Sequence, residues 1–377
     1  VGLGNIWRFP YLAAKYGGGI FLLVYLILAI TFGFALMCAE ISIGRKTGVS
    51  AIGAYKKLDK RFSFIGMLAA LVPMIILPYY SVIGGWIIKY LGVFVTGNMA
   101  NAATDGYFES FIAQPVEPIG WFMMFMGLTA LVVLFGVEKG IEKVSKIMMP
   151  VLVVLTVFIA VYSMCMPGAF EGVLYYITPD FSKFSATTVL AAMGQLFYSM
   201  SLAMGIMITY GSYVKKDVNL NKSVKQIEIF DTSIAFLAGM IVIPAVYAFS
   251  SLGEISKAGP GVIFVALPDV FAEMGVAGKV IGPIFFLMVA FAAITSSVSI
   301  MEAIVGACSE TFKINRKKIS FIIAVLSTVA AVIVCVVISP FVYFTSLILV
   351  PFILFLFFKL KKQNGILLSG ARGEKYG

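Results

Sequence analysis

Glu40, Asp231 and Glu302 each stand inside a long apolar stretch of a chain that contains no histidine. An unpaired carboxylate within a hydrocarbon layer costs at least about 3 kcal/mol, so an acid in such a place is a functional candidate. The absence of histidine removes His-based triads, His metal sites and imidazole relays, and leaves any acid–base work to carboxylates. The three acids fall on separate predicted helices, which argues against the paired acids, or nucleophile with base, of an intramembrane enzyme. For Asp231 two readings stand: a charge held at a binding site, or a carboxylate salt-bridged near Lys225. Hydroxyls cluster at Thr295-Ser296-Ser297. On a helix the Ala292 carbonyl lies one turn away, which gives either hard oxygen ligands for a small cation or ordinary interhelical packing. The stretch Gly194-Gln195-Leu196-Phe197-Tyr198-Ser199-Met200-Ser201-Leu202-Ala203-Met204-Gly205 puts glycine, serine and glutamine at mid-span. It either packs closely as a continuous helix or unwinds where its freed backbone lines a cavity. Cys38, Cys165, Cys308 and Cys335 sit singly in apolar runs without CxxC spacing, which predicts buried thiols rather than a disulfide framework or a zinc site.

The elements that must hold these groups are membrane spans. Of 377 residues, 61% are AVILMFWYC and 12% are charged, with a mean hydropathy of +1.02. A soluble domain has about 45–50% apolar and about 25% charged residues. Apolar runs of spanning length predict helices near 17–44, 64–97, 119–136, 146–166, 186–213, 227–250, 278–308, 319–338 and 341–359, after a short opening segment at 1–13. One set of alternate loops, with the tail, holds 22 of the 28 Lys and Arg residues. The positive-inside rule makes that set cytoplasmic. The net charge of +10 is thereby explained without nucleic acid. Glu228, close to a basic loop, is expected to snorkel to the interface. Glu40 and Glu302 are expected to hydrogen-bond to backbone freed by unwound segments.

Gly2-Leu3-Gly4 and Ser201-Leu202-Ala203 stand five helices apart in the predicted order, on the first and the sixth. Corresponding interruptions in two halves point to an inverted-repeat transporter with its site at the repeat interface. The expected fold is an all-α, polytopic membrane protein built of inverted five-helix repeats with discontinuous first and sixth helices. Residues 1–185 form the first repeat, 186–362 the second and 363–377 a basic cytoplasmic tail.

The opening Val1-Gly2-Leu3-Gly4-Asn5-Ile6-Trp7-Arg8-Phe9-Pro10-Tyr11, followed by Gly17-Gly18-Gly19, resembles the first helix of the neurotransmitter:sodium symporter family. The resemblance extends through Pro78-Tyr79-Tyr80, Gly85-Trp86, Gly194 to Gly205, Ile208-Thr209-Tyr210 and Ala292-Ala293-Ile294-Thr295-Ser296-Ser297. It implies a substrate carboxylate held by the Gly4 N–H and the Tyr80 hydroxyl, at a half-helix N-terminus whose dipole suits an anion. It implies pocket residues Leu3, Gly4, Ile76, Tyr80, Tyr198, Ser201, Met204, Ser296 and Ile300. Sodium site one would comprise Asn5, Ser199 and Asp231. Sodium site two would comprise the Val1 and Ala292 carbonyls with the Thr295 and Ser296 hydroxyls. Arg8, Gln195 and Tyr198 would form the outer gate. Amine-binding members resemble one another in an aspartate at the Gly2 position, and chloride-binding ones in a serine where Ala235 stands here. The fixed charge of Asp231 is therefore expected to make transport chloride-independent, with proton antiport when Asp231 must be neutralised on the empty return.

The resemblance thus implies symport of a neutral hydrophobic or aromatic amino acid with Na⁺ as the coupling ion and no other cofactor, in a bacterial inner membrane. The partners are the amino acid, sodium ions and the bilayer, with no nucleic acid. Two departures favour the alternative of a non-transporting sensor or decayed transporter. Val342 stands where the family places the gate acid opposite Arg8. The sequence also opens partway through a helix, on Val1 rather than methionine, without the first half-helix, as a fragment of the working protein would; a tail in place of the eleventh and twelfth helices, outside the ten-helix core by resemblance, is tolerable.

Overall fold

The computed structural model describes residues 1–114, 116–249 and 262–337. Among them the chain is helical, with no strand beyond a single bridge between Gly18 and Pro179. Fifteen helices follow in order. A π-helical turn, Gly4–Arg8, leads into α1 (Phe9–Lys15), and then come α2 (Gly19–Thr47), α3 (Ala51–Leu58) and α4 (Ser63–Val95). The short α5 (Met99–Ala102) and α6 (Tyr107–Ala113) precede α7 (Glu117–Leu134), α8 (Lys143–Met164) and α9 (Ala169–Ile177). The remaining helices are α10 (Ala186–Ser199), α11 (Ile206–Tyr213), α12 (Leu220–Phe249), α13 (Ala266–Glu273), α14 (Val276–Phe312) and α15 (Arg316–Val337). Among the described residues six helical segments are long and apolar enough to cross a membrane: Gly19–Thr47, Lys60–Val95, Glu117–Leu134, Gly140–Met164, Leu220–Ala248 and Val276–Phe312.

The spans expected from apolar runs are present with shifted ends. The run at 186–213 is not one helix: α10 stops at Ser199 and α11 starts at Ile206. Between them Ser201 and Ala203 adopt left-handed backbone, with φ of 54° and 59°. Non-glycine residues hold that conformation at a cost of roughly 1–3 kcal/mol each, and a neighbouring acid secures it. Glu40 on α2 accepts the Ala203 N–H at 2.6 Å through Oε1. That is the role expected for Glu40. The helix expected at 341–359 and the tail 363–377 lie outside the described residues, and five short helices (α3, α5, α6, α9, α13) occupy stretches read as loops.

Two groups of helices surround the break. Long α14 lies along α4, α7 and α8, and α4 also packs on α7. A buried hydroxyl pair, Thr129 with Ser297 at 2.7 Å, links α7 to α14. On the other side, α11 packs on the second half of α2, and α10 on its first half. Small residues set the α2–α11 distance: a Cβ on Gly44 would stand 1.9 Å from the Ile208 carbonyl oxygen, and one on Gly211 would stand 2.4 Å from that of Ile41. Backbones this close admit no side chain at either position.

Candidate functional site

The start of the chain, the α10–α11 break, α4, α12 and α14 converge on one cavity of ≈ 170 Å³. Its wall includes the backbone of Gly2, Leu3 and Gly4. Tyr80, on the buried side of α4, accepts the Leu3 N–H at 3.2 Å through its hydroxyl oxygen. That bond keeps the phenolic proton beside the free end of the opening helix. Gly2 is fixed by space: a Cβ there would lie 1.9 Å from Ser296 Oγ and 3.3 Å from the Tyr80 hydroxyl. An anion placed at this end meets the positive end of the helix dipole and an O–H donor.

Asn5, Ser199 and Asp231 come from three elements and meet as one group. Asn5 Nδ2 donates to Ser199 Oγ at 2.8 Å and to the Asp231 carbonyl at 3.0 Å, while Asn5 Oδ1 accepts the Gly2 N–H at 2.9 Å. Ser199 Oγ donates to Asp231 Oδ2 at 2.6 Å. Asp231 is 2% exposed. Its other oxygen lies 3.5 Å from the Val1 nitrogen, and among the described residues it makes no ion pair with Lys225. The helix-end salt bridge is therefore not formed. A cluster of amide, hydroxyl and carboxylate oxygens is the donor chemistry a small hard cation takes.

The second predicted oxygen group also assembles. Ser296 Oγ donates to the Val1 carbonyl at 3.1 Å, and Thr295 Oγ1 donates to the Ala292 carbonyl at 3.2 Å and to that of Phe291 at 2.9 Å. Thr295 and Ser296 line the cavity, and Ala292 is buried behind them. This group ties the opening segment to α14.

Ile76, Ser201, Met204 and Ile300 complete the wall, and Tyr198 stands between this cavity and a second one of ≈ 420 Å³. The outer cavity is lined by Trp7, Arg8, Tyr11, Tyr79, Phe197 and Tyr198, among others. The Arg8 guanidinium sits 5.2 Å from the Tyr198 ring centroid and donates to Gln195 Oε1 at 3.4 Å and the Gly194 carbonyl at 3.3 Å. Gln195 in turn donates to the Gly4 carbonyl at 2.7 Å. Arg8, Gln195 and Tyr198 thus form one layer over the inner cavity, a cation–π contact included. Val342 lies outside the described residues.

Three expectations are corrected. Glu302 does not meet freed backbone; it is fully buried and accepts from the Tyr213 hydroxyl at 2.7 Å and from Arg316, in an ion pair. A cation at the start of α15 satisfies a buried carboxylate better than a neutral N–H does. Glu228 does not snorkel: α12 begins at Leu220, so Glu228 is two turns inside the helix and only 8% exposed. Of the cysteines, Cys308 is buried, but Cys38 is half-buried and Cys165 exposed; the Cys335 side chain lies outside the described ones.

Other residues at the site were missed by sequence reasoning. Tyr25, fully buried on α2, lies beside Ser199 and Asp231 with no hydrogen-bond partner for its hydroxyl among the described residues. Tyr210 and Ser299, bonded at 3.0 Å, line the end of the cavity nearer the basic loops. Away from the cavity, Glu310 accepts from the N–H and hydroxyl of Ser50, at 2.8 Å and 2.6 Å. For Tyr25, Tyr210 and Ser299 the available signal was a hydroxyl inside an apolar run.

Comparison with known proteins places this arrangement. The sequence matches the profile of the sodium:neurotransmitter symporter family over residues 1–111 and 112–353. It is 37% identical over 330 residues to YhdH of Bacillus subtilis, an uncharacterized sodium-dependent transporter, covering 85% of this chain and 71% of that protein. It is 35% identical over 334 residues to an uncharacterized sodium-dependent transporter of Methanocaldococcus jannaschii, covering 84% and 68%. The crystal structure of MhsT in complex with L-phenylalanine superposes with a TM-score of 0.82 at 39% identity, covering 89% of this chain and 76% of that one.

Proposed function

The chain belongs to the sodium:neurotransmitter symporter family, and from that premise we propose that it carries a neutral hydrophobic or aromatic amino acid together with Na⁺, by alternating access and without chloride. It is a multi-pass membrane transporter, not an enzyme. The observation that carries the finer reading is the Asn5–Ser199–Asp231 group on the same cavity as Gly4 and Tyr80. The substrate carboxylate takes the Gly4 N–H and the Tyr80 hydroxyl. One Na⁺ lies between this carboxylate and Asp231, so that the two anions and the substrate ammonium are balanced inside a cavity where an unbalanced charge is prohibitive. A second Na⁺ takes the Val1 and Ala292 carbonyls with the Thr295 and Ser296 hydroxyls, and draws the opening segment onto α14.

The side chain of the substrate faces Ile76, Met204 and Ile300. Asp231 is the one charged side chain along the described lining, which leaves no cation for an acidic side chain. L-phenylalanine in MhsT supports an aromatic substrate of similar size. Tyr198 closes over it, under Arg8 and Gln195. The basic loops face the cytoplasm, residues 1–185 and 186–362 act as the two opposed repeats, and release runs past Tyr210 and Met207. Asp231 binds a proton on the empty return.

The test is uptake of labelled phenylalanine and leucine into proteoliposomes. Uptake is expected with an inward Na⁺ gradient and not with K⁺, and it should be unchanged when gluconate replaces chloride. Absence of any Na⁺-stimulated uptake or binding of neutral amino acids refutes the proposal. Na⁺-stimulated binding without uptake marks a sensor instead.

A further inference from the structure

We propose that α3 and the start of α4 form a binding site for one anionic phospholipid, its phosphate held by Lys56 and Lys60 and its acyl chains laid along Phe64, Met67 and Leu68. This rests on the chain's being a membrane transporter and concerns a surface outside the cargo site. The turn Lys60–Phe62 runs straight into α4, and the span continues from Lys60 to Val95. Lys60, Phe64, Met67 and Leu68 therefore follow one another at helical spacing on a single face. Phe64 is 53% exposed, Met67 49% and Leu68 56%. An apolar stripe in a membrane span that no described helix covers faces acyl chains, and a cation at its head stands at headgroup level.

The cations differ in what they already hold. Lys57 donates to the Thr47 carbonyl at 3.0 Å, and Arg61 grips Asp59 through two nitrogens, at 3.0 Å and 2.7 Å. Lys56 and Lys60 are exposed and make no hydrogen bond or ion pair among the described residues. Around them Leu58 and Phe62 are also exposed, an apolar rim suited to the glycerol level of a bilayer. A soluble acidic partner reaches the lysines but not a stripe that descends into hydrocarbon. A phospholipid matches both. A net anionic headgroup is selected because a choline or ethanolamine group would bring its own cation to the lysines.

The site is anchored from behind. Gly66 allows α3 to press on α4, since a Cβ there would stand 2.5 Å from the Ala51 carbonyl oxygen, and Ala51, Ala54, Ala69 and Ile208 form a small buried cluster. Ile208 belongs to α11, so the lipid-bearing helix is also the seat of the second half of the broken helix. A bound lipid braces that seat.

Native mass spectrometry of the detergent-purified chain, titrated with phosphatidylglycerol or phosphatidylcholine, reads the site without substrate or Na⁺, so its outcome is independent of the transport reading. The wild type is expected to retain phosphatidylglycerol at least about fivefold more than phosphatidylcholine, as several basic side chains at the surface predict. K56E/K60E should lose that preference, while K222E/K317E, which reverses two exposed lysines elsewhere, keeps it. F64S/L68S should lower retention of phosphatidylglycerol with all the lysines present. Equal retention of the two lipids by the wild type, or undiminished phosphatidylglycerol on K56E/K60E, overturns the proposal.

Discussion

Replacing Asp231 by asparagine removes a charge while keeping the shape of the group. The carboxylate is 2% exposed and takes the Ser199 hydroxyl at 2.6 Å. A Na⁺ held among Asn5, Ser199 and Asp231 lies about 4 Å from the charge, where two unit charges at an effective dielectric of about 20 attract by roughly 4 kcal/mol. The asparagine amide oxygen still binds the ion and recovers part of this. A net loss of about 2–3 kcal/mol remains, which raises the Na⁺ concentration for half-maximal binding by about 30–150-fold. Asp231→Ser goes further, because it empties the carboxylate's space beside the Ser199 hydroxyl and the unpartnered Tyr25 hydroxyl. A chloride ion fits donors of that kind and restores the missing charge. The assay is labelled phenylalanine binding across a Na⁺ titration, in chloride and in gluconate. The wild type is expected to be indifferent to the anion, D231N weak in both, and D231S rescued by chloride alone. A Na⁺ shift under about threefold in D231N, below about 0.7 kcal/mol, or a D231S variant indifferent to chloride, refutes the electrostatic reasoning.

Two further outcomes are expected. Tyr80→Phe strips the acceptor from the buried Leu3 N–H and a donor from the substrate carboxylate, at about 1–3 kcal/mol; equilibrium binding at saturating Na⁺ should weaken roughly 5–150-fold, with the Na⁺ dependence unchanged. Glu40→Ala leaves the Ala203 N–H without its 2.6 Å acceptor and should lower thermal stability by about 1–3 kcal/mol, whereas Glu40→Gln, which still offers an amide oxygen, should lie close to wild type in the same melting assay.

The spans and the break in the sixth of them were legible because bilayer thickness imposes length and composition directly on the sequence. Asp231 and the Thr295-Ser296 pair stood out as polar groups in apolar surroundings, and the family resemblance supplied their roles. Short helices such as α3 and α9 were read as loops, since a helix of eight or nine residues carrying charge leaves no spanning run. Glu302 and Arg316 meet across the turn at Lys313, where no helical period links them. Glu228 was misplaced because the polar first turns of α12 continue its helix beyond the apolar run. Tyr25 gave the faintest signal: one hydroxyl in a run of leucine, isoleucine and phenylalanine says nothing of which neighbour it faces.

The backbone contact of α2 with α11, made at Gly44 and Gly211, has a mechanical consequence. Two rods in van der Waals contact along their peptide planes cannot slide or part without breaking that contact, so they turn together as a single lever. Its fulcrum is the kinked stretch from Met200 to Gly205. Whatever tilts this lever moves both rods at once, and a bulkier residue at either glycine would pry them apart at rest.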